Sequence, residues 1–127
     1  MMAVDTSALM AIILKEPKGA DCMRALQAES ELVISGATLA EALIVAARRN
    51  YSAEMSRLLD GLGLQVATVT AATARRAAAA YSRWGRGLHP AALNFGDCFA
   101  YEVAIAHSCP LLFVGDDFGK TDVEPAL

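Results

Sequence analysis

The sequence predicts an α/β fold in which a parallel sheet is covered by helices on both faces. Two observations point there. Short apolar runs alternate with helical patterns along the chain, as expected of strands joined by crossover helices. The runs are also apolar at nearly every position, as in strands buried on both faces, and do not alternate polar and apolar. A third observation concerns function. Acidic residues directly follow the first and last runs, and right-handed crossovers carry every strand's C-terminal end to one sheet edge, where ligands bind in open α/β folds.

The elements follow in order. Residues 2–5 read as a short buried strand ending at Asp5. Thr6 or Ser7 can cap a helix that runs to Leu14 and is stopped by Pro17. A helix over 19–28 precedes a second strand at 32–35. The spans 38–49 and 52–62 are amphipathic helices, the latter ended by Gly61 or Gly63. A third strand covers 64–69, and the Ala-rich stretch 71–84 favours helix by propensity. Residues 85–93 form a Gly/Pro loop, 94–107 a helix and 111–114 a fourth strand, with a possible edge strand near 122–124. There is no internal repeat or linker, so the reading is one domain over residues 1–127.

Composition narrows the class. The chain is 55% hydrophobic and 20% charged, which supports a packed core and argues against disorder. A net charge of −3 is not that of a protein that holds nucleic acid on a broad basic surface. It is compatible with acidic residues that hold a cation, which then presents positive charge to phosphate. The arginines come in clumps, Arg48–Arg49, Arg75–Arg76 and Arg83 with Arg86, that suit local phosphate contacts or solvated helix faces. Cys22, Cys98 and Cys109 are odd in number and have no paired spacing, so reduced, buried thiols are expected. No segment reads as a signal peptide or membrane span.

The chemistry lies in the carboxylates. Asp5 ends a buried strand, a costly place unless it is paired, hydrogen-bonded or bound to metal. Glu41 and Asp97 sit near helix starts among apolar neighbours. Thr38-x-x-Glu41 fits a capping box and Asn94-x-x-Asp97 mimics one, so each has a structural reading beside the functional one. Asp116 and Asp117 follow the last strand and read alone as a polar turn. Gathered at one edge, such acids repel one another and raise their own pKa values unless a cation intervenes. All the candidate ligands are oxygen, which fits Mg²⁺ or Mn²⁺, and the Cys/His spacing of a zinc site is missing. His89 and His107 are the only histidines. Neither reads as catalytic, one lying in the Gly/Pro loop and the other at a helix C-terminus.

Four blocks in order resemble the PIN-domain family and, within it, the VapC toxins of toxin–antitoxin pairs. They are Val4-Asp5-Thr6-Ser7-Ala8-Leu9, then Ser35 to Glu41, then Tyr81 to Tyr101 with Leu93-Asn94-Phe95-Gly96-Asp97-Cys98-Phe99, and Leu111-Leu112-Phe113 followed by Gly115-Asp116-Asp117-Phe118 and Thr121-Asp122. The resemblance implies a three-layer α/β/α sandwich with a parallel sheet of four or five strands. It implies a Mg²⁺- or Mn²⁺-dependent endoribonuclease acting on structured cellular RNA such as tRNA or rRNA. It makes Asp5 and Asp97 metal-binding, Glu41 the third acid of the catalytic set, Asp117 rather than Asp116 the fourth, and Ser7 a hydroxyl near the metal. It also implies a VapB-type antitoxin whose tail covers the site, a homodimer, and a cytoplasmic location. Val114 departs from the Lys that similar toxins often carry there.

Two other readings compete. One is a catalytically inert PIN-like interaction module, which need not bind metal. The other is a phosphohydrolase of the haloacid dehalogenase type, disfavoured because position 7 is Ser and not Asp. Met10, Ile13, Met55, Leu58 and Leu59 offer either a partner surface or core, and Trp84, Tyr81 and Tyr101 either base stacking or packing.

Overall fold

A computed structural model describes residues 1–127. Its sheet has four parallel strands: β1 (Met2–Val4), β2 (Leu32–Ser35), β3 (Gln65–Ala67) and β4 (Leu111–Leu112), in the order β3-β2-β1-β4. The helices are α1 (Thr6–Ile13), α2 (Gly19–Ala28), α3 (Gly36–Arg48), α4 (Ser52–Leu62), α5 (Ala71–Trp84) and α6 (Phe95–Ala106). A 3-10 turn, Phe118–Lys120, follows β4. The expected fifth strand is a single bridge: Leu111 N–H donates to the Glu124 carbonyl at 2.8 Å, and Ala126 N–H donates back to the Leu111 carbonyl at 3.0 Å.

The alternation of side chains along a strand separates two cores. Met2, Val4, Leu32, Ile34 and Leu112 pack with Leu9, Leu26 and Met55 on the side of α1, α2, α3 and α4. Ala3, Val33 and Leu111 pack with Trp84, Leu93, Phe99 and Val103 on the side of α5 and α6. This is the three-layer α/β/α arrangement. The buried face of α5 is Thr73, Ala77, Ala80 and Trp84, and small residues there let α5 and α6 lie close together. β3 closes one edge of the sheet, is largely exposed, and pairs at only three residues of the predicted 64–69 span. β4 likewise occupies only two of the four predicted positions.

Several expectations resolve at this level. Asp5 itself is the N-cap of α1, in place of Thr6 or Ser7. Gly63, with φ +63°, closes α4 in the left-handed conformation that glycine tolerates. The three cysteines are free and buried, and burial raises each thiol's pKa. Met10 and Met55 are core residues, with Ile13, Leu58 and Leu59 packed partly buried against them. Trp84 and Tyr101 are also buried. The indole N–H donates to the Tyr101 hydroxyl at 3.1 Å, and that hydroxyl donates to Asp122 at 2.6 Å. Of the three aromatics considered for stacking, only Tyr81 stays exposed. No helix is long and apolar enough to cross a membrane.

Candidate functional site

Two strands run into helices with no intervening loop, and this directness places the acids. β1 ends at Val4, and Asp5 caps α1. Its Oδ2 accepts from the Ser7 backbone N–H at 3.0 Å and from the Ser7 hydroxyl at 2.6 Å. The Ser7 hydroxyl in turn accepts from Val114 N–H at 3.0 Å, which ties the end of β1 to the chain leaving β4. Asp5 is 3% exposed, and its Oδ1 is buried with no hydrogen-bond partner. A buried carboxylate oxygen left unpartnered is costly. Burial is the largest cause that pushes the Asp5 pKa up to about 6; the two Ser7 hydrogen bonds oppose it, and the charges of Asp97 and Glu41 add to it.

β2 runs into α3 in the same way, with Ser35 as the cap through a 3.3 Å bond from Ala37 N–H. The capping box considered at Thr38-x-x-Glu41 does not form, because the helix begins before Thr38. Glu41 lies inside α3 and accepts a 2.7 Å hydrogen bond from the Thr6 hydroxyl, next to Asp5. Its carboxylate also lies against Gly96, where any Cβ would collide with it. Gly96 immediately precedes Asp97. The starts of α1, α3 and α6 therefore meet around Glu41.

Asp97 occupies the third position of α6 and forms the capping box with Asn94. Asn94 N–H donates to Asp97 Oδ2 at 3.0 Å, and Asp97 N–H donates to Asn94 Oδ1 at 2.9 Å. Burial is the main reason its pKa is raised; the Asn94 hydrogen bond opposes this, Glu41 and Asp117 add to it, and Arg86 opposes it again. Of the adjacent acidic pair, it is the charge of Asp117 that reaches Asp97. Asp117 is exposed at the head of the 3-10 turn.

The structure thus brings Asp5, Glu41 and Asp97 together at the C-terminal edge of the sheet, with Asp117 flanking. No three His, Cys, Asp or Glu side chains are close enough to enclose an ion by themselves. The donor set is all oxygen, and the unpartnered Asp5 Oδ1 is the group that an ion would satisfy. Both histidines have structural contacts: His89 Nδ1 accepts from Ala91 N–H at 3.0 Å, and His107 Nδ1 lies 2.9 Å from the Val103 carbonyl. Sequence reasoning did not find the roles of Thr6 and Gly96, since both depend on which helix starts meet.

A strand-end Asp, an acid from the second βα unit and an acid in the first turn of the last helix, all at one sheet edge, define a class. The PIN domain model matches residues 2–124, and the chain belongs to the PIN-domain family. Within it, the chain is similar over nearly its whole length to VapC proteins. It is 43% identical over 129 residues to Ribonuclease VapC42 of Mycobacterium tuberculosis, covering 98% of each chain. It is 42% identical over 127 residues to Ribonuclease VapC36 of the same organism, covering 97% of this chain and 91% of that one. The fold is shared with Mycobacterium tuberculosis VapC20, a sarcin-ricin loop cleaving toxin, at a TM-score of 0.74 and 18% identity over 98% of this chain and 100% of that one. A toxin–antitoxin complex from Klebsiella pneumoniae matches with a TM-score of 0.70 and 18% identity, over 96% and 93%.

Proposed function

We propose that this chain is the toxin of a VapBC-type pair, an endoribonuclease that requires Mg²⁺ or Mn²⁺ and hydrolyses phosphodiester bonds in structured cellular RNA of the tRNA or rRNA class. The single observation that carries this reading is the buried Asp5 carboxylate. One of its oxygens has no partner, and it lies beside Asp97 and Glu41 at the ligand-binding edge of a parallel sheet. The names of the relatives, all ribonucleases, support the reaction class. A sarcin-ricin loop cleaving toxin with the same fold supports structured RNA as the substrate class.

Asp5 and Asp97 would hold the metal, which when bound supplies a polarised phosphoryl oxygen and a more acidic water. The chain's own groups do the rest. Ser7 fixes the orientation of Asp5 through the hydroxyl bond to Oδ2. Thr6 fixes Glu41 so that its second oxygen is available to orient a water. Asn94 locks Asp97 at the head of α6, where the helix dipole also favours negative charge. Asp117 adds a fourth carboxylate from an exposed turn. A VapB-type antitoxin is the partner, its tail covering this edge; the toxin–antitoxin complex of the same fold supports the pairing. The working form is a cytoplasmic homodimer.

The test combines calorimetric Mn²⁺ titration with 5′-end mapping of cellular RNA after brief induction. The parental protein is expected to bind Mn²⁺ and to create new RNA ends. Asp5→Asn and Asp97→Asn are expected to do neither while remaining folded. An inert interaction module would give neither signal in the parental chain, and cleavage by Asp5→Asn at the parental rate would overturn the mechanism.

A further inference from the structure

Beside the acidic edge, between α5 and the start of α6, lies an apolar groove of about 690 Å³. Ala74 and Ala77 lie along its α5 side, Tyr81, Phe95 and Phe99 add aromatic lining, and Arg86 contributes the only charge. Phe95 is 76% exposed, an unusual position for a large aromatic, and it meets Phe99 edge-to-face at 5.1 Å between ring centroids. The groove adjoins the acidic site at the start of α6. Asn94, which also lines it, is the residue locked to Asp97 by the capping box, and Phe95 lies two positions before Asp97.

Two other arginines of α5 are committed elsewhere, and Arg75, though exposed, does not line the groove. Arg76 pairs with the buried Glu102 at 2.9 Å. Arg83 lies over the Trp84 ring and pairs with Asp122. Arg86 is exposed and enters no ion pair. Its position is set by the backbone: Arg86 N–H donates to the Leu93 carbonyl at 2.9 Å, and Leu93 N–H donates to the Trp84 carbonyl at 3.0 Å.

From this juxtaposition we propose that the groove is a nucleotide subsite: one base of the RNA adjoining the cleaved bond stacks against Phe95 and Tyr81, and Arg86 contacts the phosphate of that nucleotide. The subsite rests on the ribonuclease reading of the adjoining acids. An apolar slot with aromatic walls takes the flat face of any base, and stacking of this kind tolerates sequence variation. A single unpaired guanidinium at the slot suits phosphate, with its planar fork of donors. A nucleotide brings both a flat base for the aromatic walls and a phosphate for Arg86, and this charge complementarity makes RNA the occupant the groove fits.

The experiment uses the full chain carrying Asp5→Asn, so that RNA is bound without being cleaved. Fluorescence anisotropy measures binding of a short labelled oligoadenylate and of the same oligomer with abasic residues, and sedimentation measures the mass of every protein. Adding Phe95→Ala is expected to weaken oligoadenylate binding roughly tenfold or more and to leave abasic binding and mass unchanged; Phe95→Tyr restores the affinity. Arg86→Gln is expected to weaken both oligomers and to lower the salt dependence of binding by about one unit of slope. Unchanged oligoadenylate affinity in Phe95→Ala overturns the subsite, and cleavage by the parental protein then keeps the functional reading intact. A change of mass in Phe95→Ala also overturns it and makes the groove an interface between copies of this chain. If no protein binds RNA and the parental chain cleaves none, the functional reading falls and takes the subsite with it.

Discussion

The starts of α3 and α6 carry the same kind of signal, a hydrogen-bonding residue followed three positions later by an acid, and they use it in opposite ways. At α6 the capping box of Asn94 and Asp97 is closed in both directions. At α3 the helix begins at Gly36, with Ser35 as its cap. Thr38 is consequently inside the helix with its hydroxyl buried and unpartnered, and Glu41 is free to reach Thr6. A capping pattern in sequence is a statement about where a helix begins. When a strand turns directly into a helix, the start moves upstream and the acid is released from fold-making. Asp97 is therefore held by the capping box of its own helix, whereas Glu41 caps nothing and is held by one hydroxyl and by the missing side chain at Gly96.

The sharpest way to break this contrast is Gly96→Ala. Nothing in the fold requires glycine there, since Gly96 lies within a helix where Ala has the better propensity. The added Cβ collides with the Glu41 carboxylate. The expected outcome is a loss of RNA cleavage of roughly a hundredfold, typical of an ångström-scale displacement of a working group, with thermal stability unchanged or slightly higher. Cleavage at the parental rate would show that Glu41 need not occupy its present place.

Asp5 supplies the next effect, through pH. Its folded pKa, about 6, is above the unfolded carboxyl value, so folding favours the protonated form. That contribution to stability is fully present below about pH 4 and is lost as pH rises through about 6. In the presence of a chelator, Asp5→Asn should therefore match the parental protein near pH 4 and exceed it by about 2–3 kcal/mol near pH 8. Urea unfolding midpoints at the two pH values measure this. Mn²⁺ should close the gap by stabilising only the parental protein. Equal midpoints in chelator near pH 8 would mean that the Asp5 carboxylate carries no such burden.

These cases also show what was legible in the sequence. Asp5 was visible because a charge closes an apolar run, and Asp97 because an acid follows a cap residue at the edge of a loop. The parallel α/β order followed from the alternation of runs. Contacts that depend on which element starts meet were not visible. Thr6 reaches Glu41 only because β1 and β2 pair in parallel, with Met2 opposite Leu32, which brings the helices they feed side by side. The burial of Trp84 and Tyr101 depends on Asp122 returning from the far end of the chain. The strands at 64–69 and 111–114 came out shorter because apolar composition marks a run but not how many of its residues find a pairing neighbour. The exposure of Phe95 was hidden by its apolar surroundings in sequence.

The smallest effects separate the two helix starts on stability alone. Asn94→Ala removes the side-chain half of the capping box, the bond from Asp97 N–H to Asn94 Oδ1, and should cost about 1–2 kcal/mol in urea unfolding. Thr38→Val keeps the shape of the side chain and removes a buried hydroxyl that has no partner. Its expected effect is neutral to stabilising, by at most about 1 kcal/mol, because the desolvation of an unsatisfied group is relieved and helix propensity barely changes. If Thr38 were capping α3, the same substitution would instead cost what Asn94→Ala costs. A loss of that size at position 38 would return Glu41 to the role of a helix cap and leave the edge of the sheet with one acid fewer for metal or water.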